Sequence, residues 1–113
     1  MKKIIKATST VSKLDIINAE ASKSFKSLPA DGVTIKGVAL VEDINNEGEV
    51  GQFAYIFTPD GIVYGGNSAT IYRACEGLID LMNEDEGTEY HAIVNKTPTN
   101  GGREFLTLTF TTA

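Results

Sequence analysis

Residues 51–82 read GQFAYIFTPDGIVYGGNSATIYRACEGLIDLM and specify two strands, the turn between them and a helix. Alternating side chains predict a β-strand over residues 52–58. Pro59-Asp60-Gly61 predicts a tight turn, because proline presets one φ angle and glycine permits a positive one. A further strand is predicted at 62–64, and Ser68 then caps a helix. The helix has apolar positions at Ile71, Ala74, Cys75, Leu78, Ile79 and Met82.

The flanking segments extend this pattern into an ordered set of five strands. Residues 33–44 predict one long strand, with Gly37 at a point where a curled strand bends. Residues 89–96 and 103–111 predict two more. The order β-β-β-α-β-β over residues 33–113 favours a mainly β fold, a five-stranded OB-fold-like barrel. An α+β two-layer sandwich has the same element order and remains the alternative.

The first 32 residues are interpreted as an N-terminal strand-plus-helix extension of a single domain that spans residues 1–113. Residues 4–11 have β character, and Ser12-Lys13-Leu14-Asp15 has the form of a capping box. Apolar residues then recur at helical spacing up to Pro29. These residues are Leu14, Ile17, Ala21, Phe25 and Leu28.

Charge is spread unevenly along the chain. The 113 residues carry 10 Lys and Arg against 15 Asp and Glu, and the net charge of −5 argues against indiscriminate binding of polyanions. Residues 1–41 alone carry seven lysines and three acids. Either a polyanion contacts residues 1–41, or the lysines only provide a solvent-exposed face for an N-terminal helix. The chain has no apolar run of membrane-spanning length and no apolar stretch behind its first lysines, so a cytoplasmic protein without membrane partners is expected.

The sequence contains little of the chemistry that enzymes use. With one cysteine and one histidine, the chain cannot form an intramolecular disulfide or a zinc site of the usual Cys/His kind. Cys75 is expected in the core and His91 partly exposed on a strand. Glycines 65 and 66 followed by Ser68 are interpreted as a turn and an N-cap, with phosphate binding as the less favoured interpretation. The prediction is therefore a protein that is not an enzyme and needs no metal or cofactor.

The aromatic residues suggest a binding surface. Phe53, Tyr55 and Phe57 share one face of a strand, and Tyr64 follows across the turn. If Ala54 and Ile56 point inward, the rings lie outside, where OB-folds stack nucleobases; in the opposite register the rings are core. Tyr55 and Tyr64 are expected to be the exposed pair. The cations expected to contact phosphates are Lys36, Arg73, Lys96 and Arg103.

The layout of the whole chain resembles the small single-stranded DNA-binding proteins of bacteriophages. The resemblance rests on the Lys-rich start, the element order, and the segments GGNSAT (65–70) and GGREFLTLT (101–109). It implies an OB-fold that coats single-stranded DNA during replication or recombination in the host cytoplasm, usually as an oligomer and with replication or recombination proteins as partners. The ending Thr111-Thr112-Ala113 lacks the acidic tail of many bacterial-type members. The alternative function is a phage-type module that binds or inhibits a host protein without contacting nucleic acid.

Overall fold

The computed structural model describes residues 2–19, 23–44, 46–85, 87–98, 101–102 and 104–112. Within these ranges the protein is mainly β, with two α-helices and a short 3-10 turn at Phe25–Ser27. The strands are β1 (Lys2–Ala7), β2 (Lys23–Ser24), β3 (Val33–Ile35), β4 (Gly37–Ile44), β5 (Val50–Phe57), β6 (Val63–Gly66), β7 (Tyr90–Pro98) and β8 (Glu104–Thr112). The helices are α1 (Lys13–Ile17) and α2 (Ala69–Glu84).

The strands form two sheets, and residues 33–44 contribute one strand to each of them. The five-stranded sheet has the order β1-β4-β5-β6-β2, and the three-stranded sheet has the order β3-β7-β8. Residues 33–44 form the predicted long strand, but it breaks at Lys36, so β3 joins one sheet and β4 the other. At the break, the Lys36 N–H donates to the Phe57 carbonyl at 2.8 Å. When β3 and β4 are counted as the one strand predicted at 33–44, the predicted order β-β-β-α-β-β is confirmed.

No closed barrel is formed by the described residues. No backbone pairing there joins β6 to β8; the free edge of β6 is instead occupied by β2, which pairs with it in parallel. The two-layer alternative with both helices on one face is also wrong, because α1 and α2 pack on opposite sides of β4 and β5.

The main core lies between α2 and the inner faces of both sheets. Helix α2 begins after the predicted Ser68 N-cap and buries five of the six predicted apolar positions, namely Ile71, Cys75, Leu78, Ile79 and Met82, while Ala74 is half-buried. Strand β4 contributes Val38 and Leu40 to this core. The neighbouring residues Ala39 and Val41 are also fully buried, but in a second cluster on the other side of the sheet. Both faces of the central strands are therefore covered.

The N-terminal segment differs most from its prediction. The capping box at Ser12 and Asp15 is present, but α1 has only five residues and ends at Ile17, with Asn18 as its C-cap. Leu14 and Ile17, expected on the buried stripe, are 67% and 52% exposed, and the residue that packs inward is Ile16. Phe25 and Leu28 do reach the main core, but from a 3-10 turn after β2 and from its C-cap, and Ala21 lies outside the described residues. Within the described residues, the apolar residues that were predicted to form one helical stripe therefore belong to two separate elements.

Gly32 permits the close approach of β3 to β7. Its φ is +85°, and a Cβ added there would lie 2.7 Å from the Ala92 carbonyl oxygen. We expect Gly32→Ala to lower the free energy of unfolding by about 2 kcal/mol or more, because backbone strain and a backbone clash act together. Urea denaturation measures this loss. Gly48→Ala is the matched control, since Gly48 has φ +81° but no atom within 4 Å of the added Cβ; equal losses for both variants would contradict the expectation.

Candidate nucleic-acid interface

The aromatic residues of β5 lie on its outer face, as one of the two registers predicts. Ala54 and Ile56 are fully buried in the main core, whereas Tyr55 and Phe57 belong to the second cluster, with Phe53 packed against it. Alternation along a strand places the three rings on the same side. We call Phe53, Tyr55 and Phe57 the aromatic row.

The N-terminal segment covers most of the aromatic row. Val11, Ile16 and Ala19 are buried in the cluster that contains Tyr55 and Phe57. As a result Tyr55 is only 7% exposed and Phe57 only 8%, while Phe53 is half-buried. Burial raises the pKa of the Tyr55 hydroxyl, and the Asp43 carboxylate adds to the effect. The expectation that Tyr55 is exposed is therefore wrong. The sequence correctly placed the three rings on one face of the strand but left open whether that face is buried.

Tyr64 lies on the opposite side of the sheet from the aromatic row. The turn between β5 and β6 places Tyr64 opposite Ile56, and residues paired across two strands share a face. Tyr64 therefore points into the main core and is 3% exposed. Its expected exposure is wrong as well. Part of its surface lines a groove of about 340 Å³ between β3 and the turn, together with Thr34, Pro59 and Ile62.

Lys36 lies beside Phe57, one of the predicted aromatic residues. It is exposed and lines a second groove, of about 290 Å³, with Phe57, Val63 and Asp15. The Ser12 hydroxyl and backbone N–H lower the pKa of the Asp15 carboxyl by hydrogen bonding, and Lys36 lowers it further. This groove and the Tyr64 groove flank the same turn and share Thr58 and Ile62. Lys36, Phe57 and Tyr64 are thus brought to one end of the five-stranded sheet.

The two other predicted cations within the described residues, Arg73 and Lys96, lie on different elements of the fold. Arg73 is exposed near the start of α2, where Ala69 and Tyr72 line a groove with the Val50 end of β5. That end is roughly 24 Å from the Phe57 end, at about 3.4 Å per residue. Lys96 is exposed on β7, beyond the stretch that pairs with β3. Arg103 lies outside the described residues.

Phe105 is an accessible ring that the sequence interpretation did not select. It is 48% exposed on the outer face of β8, opposite Thr97 of β7. The inner face of β8 carries Leu106, Leu108 and Phe110, which pack on the main core. Strands β7 and β8 together include one acidic residue, Glu104, which precedes Phe105 in the sequence. The alternation of the last strand could have identified Phe105. Leu106, Leu108 and Phe110 occupy one face of that strand, and Phe105 is the aromatic residue on the other face.

Phe53 is accessible in a more acidic setting. It lines a groove of about 300 Å³ with Val50, Gly51, Asp43 and Glu49. The two carboxylates disfavour a phosphate there, although a base could still stack on the ring. Phe105 is therefore the better placed of the two rings for contact with a nucleic acid.

The residues that might have indicated catalysis have structural roles. Cys75 is fully buried, and burial raises the pKa of its thiol to about 12, which keeps it protonated and unreactive. His91 is half-buried on β7, with its Nε2 3.3 Å from the Thr34 hydroxyl, as expected for a strand histidine. The Ser68 hydroxyl accepts from the Ile71 N–H at 3.4 Å, which supports the N-cap interpretation of this segment.

No group of potential metal ligands occurs among the described residues, and no helix within those ranges is long and apolar enough to span a membrane.

Comparison with known proteins agrees with the resemblance seen in the sequence. The family model described as phage single-stranded DNA-binding protein matches residues 1–111. Two curated relatives, from Bacillus phage PZA and Bacillus phage phi29, are each named single-stranded DNA-binding protein. Each is 30% identical over an alignment of 116 positions that covers 93% of this chain and 93% of the relative. No solved structure matches significantly. The family consists of binding proteins rather than enzymes, in agreement with the prediction.

Proposed function

The chain belongs to the phage single-stranded DNA-binding protein family, and we propose that it binds single-stranded DNA with little preference for sequence. The observation that carries this proposal is the match of the family model over residues 1–111, together with two relatives that bear that name and align with 93% of the chain. Neither relative is named as an inhibitor or a protein-interaction module. The alternative function has no comparable support.

Base stacking on exposed rings would supply the contact that is independent of sequence. Every base has a planar face, so a protein that stacks bases on aromatic side chains tolerates all four. Phe105 and Phe53 are accessible for this in the structure as it stands. Tyr55, Phe57 and Tyr64, which the sequence also suggested, are buried and need a rearrangement before a base can reach them. Duplex DNA should bind poorly, because its bases are already stacked on each other.

The scattered cations suit a ligand that is long and extended. Lys36, Arg73 and Lys96 are all exposed, and Arg103 follows the turn between β7 and β8 in the sequence. Lys36 and Arg73 lie near opposite ends of β5, and a single strand laid across the protein could contact both. We assign these four side chains to phosphate contacts, which position a strand without reading its sequence.

The fold supports an OB-like interpretation with an open barrel. In our proposal, residues 33–44 act as the strand shared between two sheets, and α2 packs at the end of the barrel, as in OB-folds. Strand β2 occupies the edge of β6 where a closing strand would pair, so the barrel stays open. We propose that several copies line up on one strand and coat it during phage DNA replication or recombination, in the cytoplasm of the host cell.

Titration of labelled oligo-dT tests the proposal by fluorescence anisotropy. We expect tight binding to oligo-dT and much weaker binding to a duplex of the same length. If four cations contact phosphates, the logarithm of the binding constant should fall with the logarithm of salt concentration with a slope of about −3. Lys36→Ala should make this slope shallower by about 0.7. Absence of oligo-dT binding at low salt would exclude the proposed function.

A further inference from the structure

The two buried clusters lie on opposite sides of the shared strands β4 and β5, and only the second one contains residues that precede Phe25 in the chain. The first residue of the main core is Phe25, and no residue from 2–19 belongs to it. The second cluster consists of residues 11–19 packed on Ala39, Val41, Tyr55 and Phe57. We call residues 11–19 the cover segment. Since it forms a separate layer over the aromatic row, it could leave that row without opening the main core.

The cover segment is held by few contacts of its own. Only three of its side chains, Val11, Ile16 and Ala19, are buried. Its helix α1 has five residues, and a helix this short is not stable without its packing and its cap. Leu14 and Ile17 point away from the sheet and are more than half exposed, so they add no packing. A lightly packed surface segment of this kind is the part of a fold that opens at the lowest free energy.

One cation joins the cover segment to the aromatic row. The Lys2 ammonium donates to the Ala19 carbonyl at the end of the segment. The same nitrogen lies 5.5 Å from the centroid of the Tyr55 ring. A cation at this distance from a ring face interacts with its π-electrons. The face of Tyr55 that a base would need is therefore contacted by groups of the protein's own N-terminal segment.

We propose that the cover segment is displaced when single-stranded DNA binds, and that bases then stack on Tyr55 and Phe57 beside Phe53. This inference rests on the proposed function and identifies a site that the closed structure hides. Three rings at alternate positions of one strand form a continuous aromatic surface once the cover is removed. Because the DNA must compete with the cover, the apparent affinity is reduced by the fraction of molecules that are closed.

A pair of identical substitutions in neighbouring residues tests the cover. Ile16 is 1% exposed and packs on the aromatic row, whereas Ile17 is 52% exposed on the other side of α1. Ile16→Ala should weaken the closed state and tighten oligo-dT binding roughly tenfold. Ile17→Ala makes the same chemical change without touching the rings and should leave affinity within about twofold. If the two variants bind oligo-dT equally, or if Ile16→Ala binds more weakly, the proposal is overturned.

Loss of the Ser12 N-cap of α1 should also increase the affinity for oligo-dT. The Ser12 hydroxyl accepts from the Asp15 N–H at 3.0 Å and stabilises the first turn of α1. Ser12→Ala alters neither charge nor ring packing, and a smaller gain in affinity than for Ile16→Ala is expected. Adding Tyr55→Leu to Ile16→Ala should remove most of the gain, because leucine fills the site but offers no ring. A gain that persists without the ring would contradict stacking on Tyr55.

Hydrogen exchange on the unmodified protein provides a second readout. The amides of Ile16, Asn18 and Ala19 donate within the cover segment, to Ser12, Leu14 and Ile16 carbonyls, at 3.0 to 3.2 Å. We expect these amides to exchange faster when oligo-dT is bound. Slower or unchanged exchange in the complex would show that the cover stays closed and would overturn the inference while leaving the proposed function intact. No oligo-dT binding by the unmodified protein would instead exclude the proposed function itself.

Discussion

Replacement of Tyr64 by alanine is expected to lower the free energy of unfolding by about 3–5 kcal/mol, the range for removing a large aromatic side chain from a core. Tyr64 is 3% exposed and packs among the residues of the main core. The substitution removes the buried ring and leaves a cavity beneath β6. Denaturation in urea, followed by circular dichroism, measures the loss directly.

Tyr72→Ala is the matched control for this experiment. Tyr72 is half-buried on α2 and lies at the margin of the main core, so the same change of side chain should cost clearly less. A Tyr64→Ala protein that keeps its stability but loses DNA binding would contradict the structure and restore the view of Tyr64 as an exposed stacking residue. If the fold is destabilised as expected, weaker DNA binding by this variant reports unfolding and not a lost contact.

Replacement of Phe105 by alanine is expected to weaken DNA binding while leaving the stability of the protein almost unchanged, in contrast to Tyr64→Ala. The ring is half exposed on the outer face of β8, so its removal should change the free energy of unfolding by less than about 1 kcal/mol. If one base stacks on it, the loss of binding free energy should be about 1–3 kcal/mol. This corresponds to an increase in Kd for oligo-dT of roughly 5- to 150-fold. Anisotropy titration and urea denaturation on the same preparation separate the two quantities.

Phe110→Ala serves as the comparison, because it removes the same ring from the inner face of the same strand. Phe110 packs against the main core opposite Ala92. We expect this variant to lose stability, with any loss of affinity following from it. If Phe105→Ala binds oligo-dT as tightly as the unmodified protein, Phe105 is only an exposed surface ring, and the DNA path lies elsewhere on the protein.

The elements that local sequence specifies were predicted well. Helix α2 combines an N-cap at Ser68 with apolar residues at helical spacing, and both features act within a few residues of each other. The turn before β6 depends in the same way on Pro59 and Gly61, and Gly61 has a φ of +88°. The capping box at Ser12 was also predicted, since it joins residues only three positions apart.

The N-terminal helix shows where periodicity alone misleads. Leu14, Ile17, Phe25 and Leu28 have helical spacing, yet α1 ends at Ile17 and Phe25 belongs to a 3-10 turn. A short helix contributes little free energy by itself, so packing against the sheet decides how far it extends. Ile16 is buried in place of the predicted stripe because it faces the rings of β5.

The candidate interface was predicted only in part, because local sequence patterns do not show which distant segments pack on a strand. Alternation correctly grouped Phe53, Tyr55 and Phe57 on one face of β5, because that grouping follows from strand geometry alone. It could not show what packs on that face, since both faces of β4 and β5 are apolar. Nor could it place Tyr64, whose side of the sheet depends on the pairing across the turn.

The amino-acid sequence by itself determined the family, the order of strands and helices from residue 33 onward, the helix caps and the sharing of one face by the aromatic row. The tertiary structure decided that Tyr64 points into the core, that Phe105 is accessible and that residues 11–19 cover Tyr55 and Phe57. The physical reason is the distance along the chain between the residues that determine each feature. Caps, turns and alternation depend on neighbouring residues, whereas the covering of an apolar face depends on segments of the chain that meet only when the protein folds.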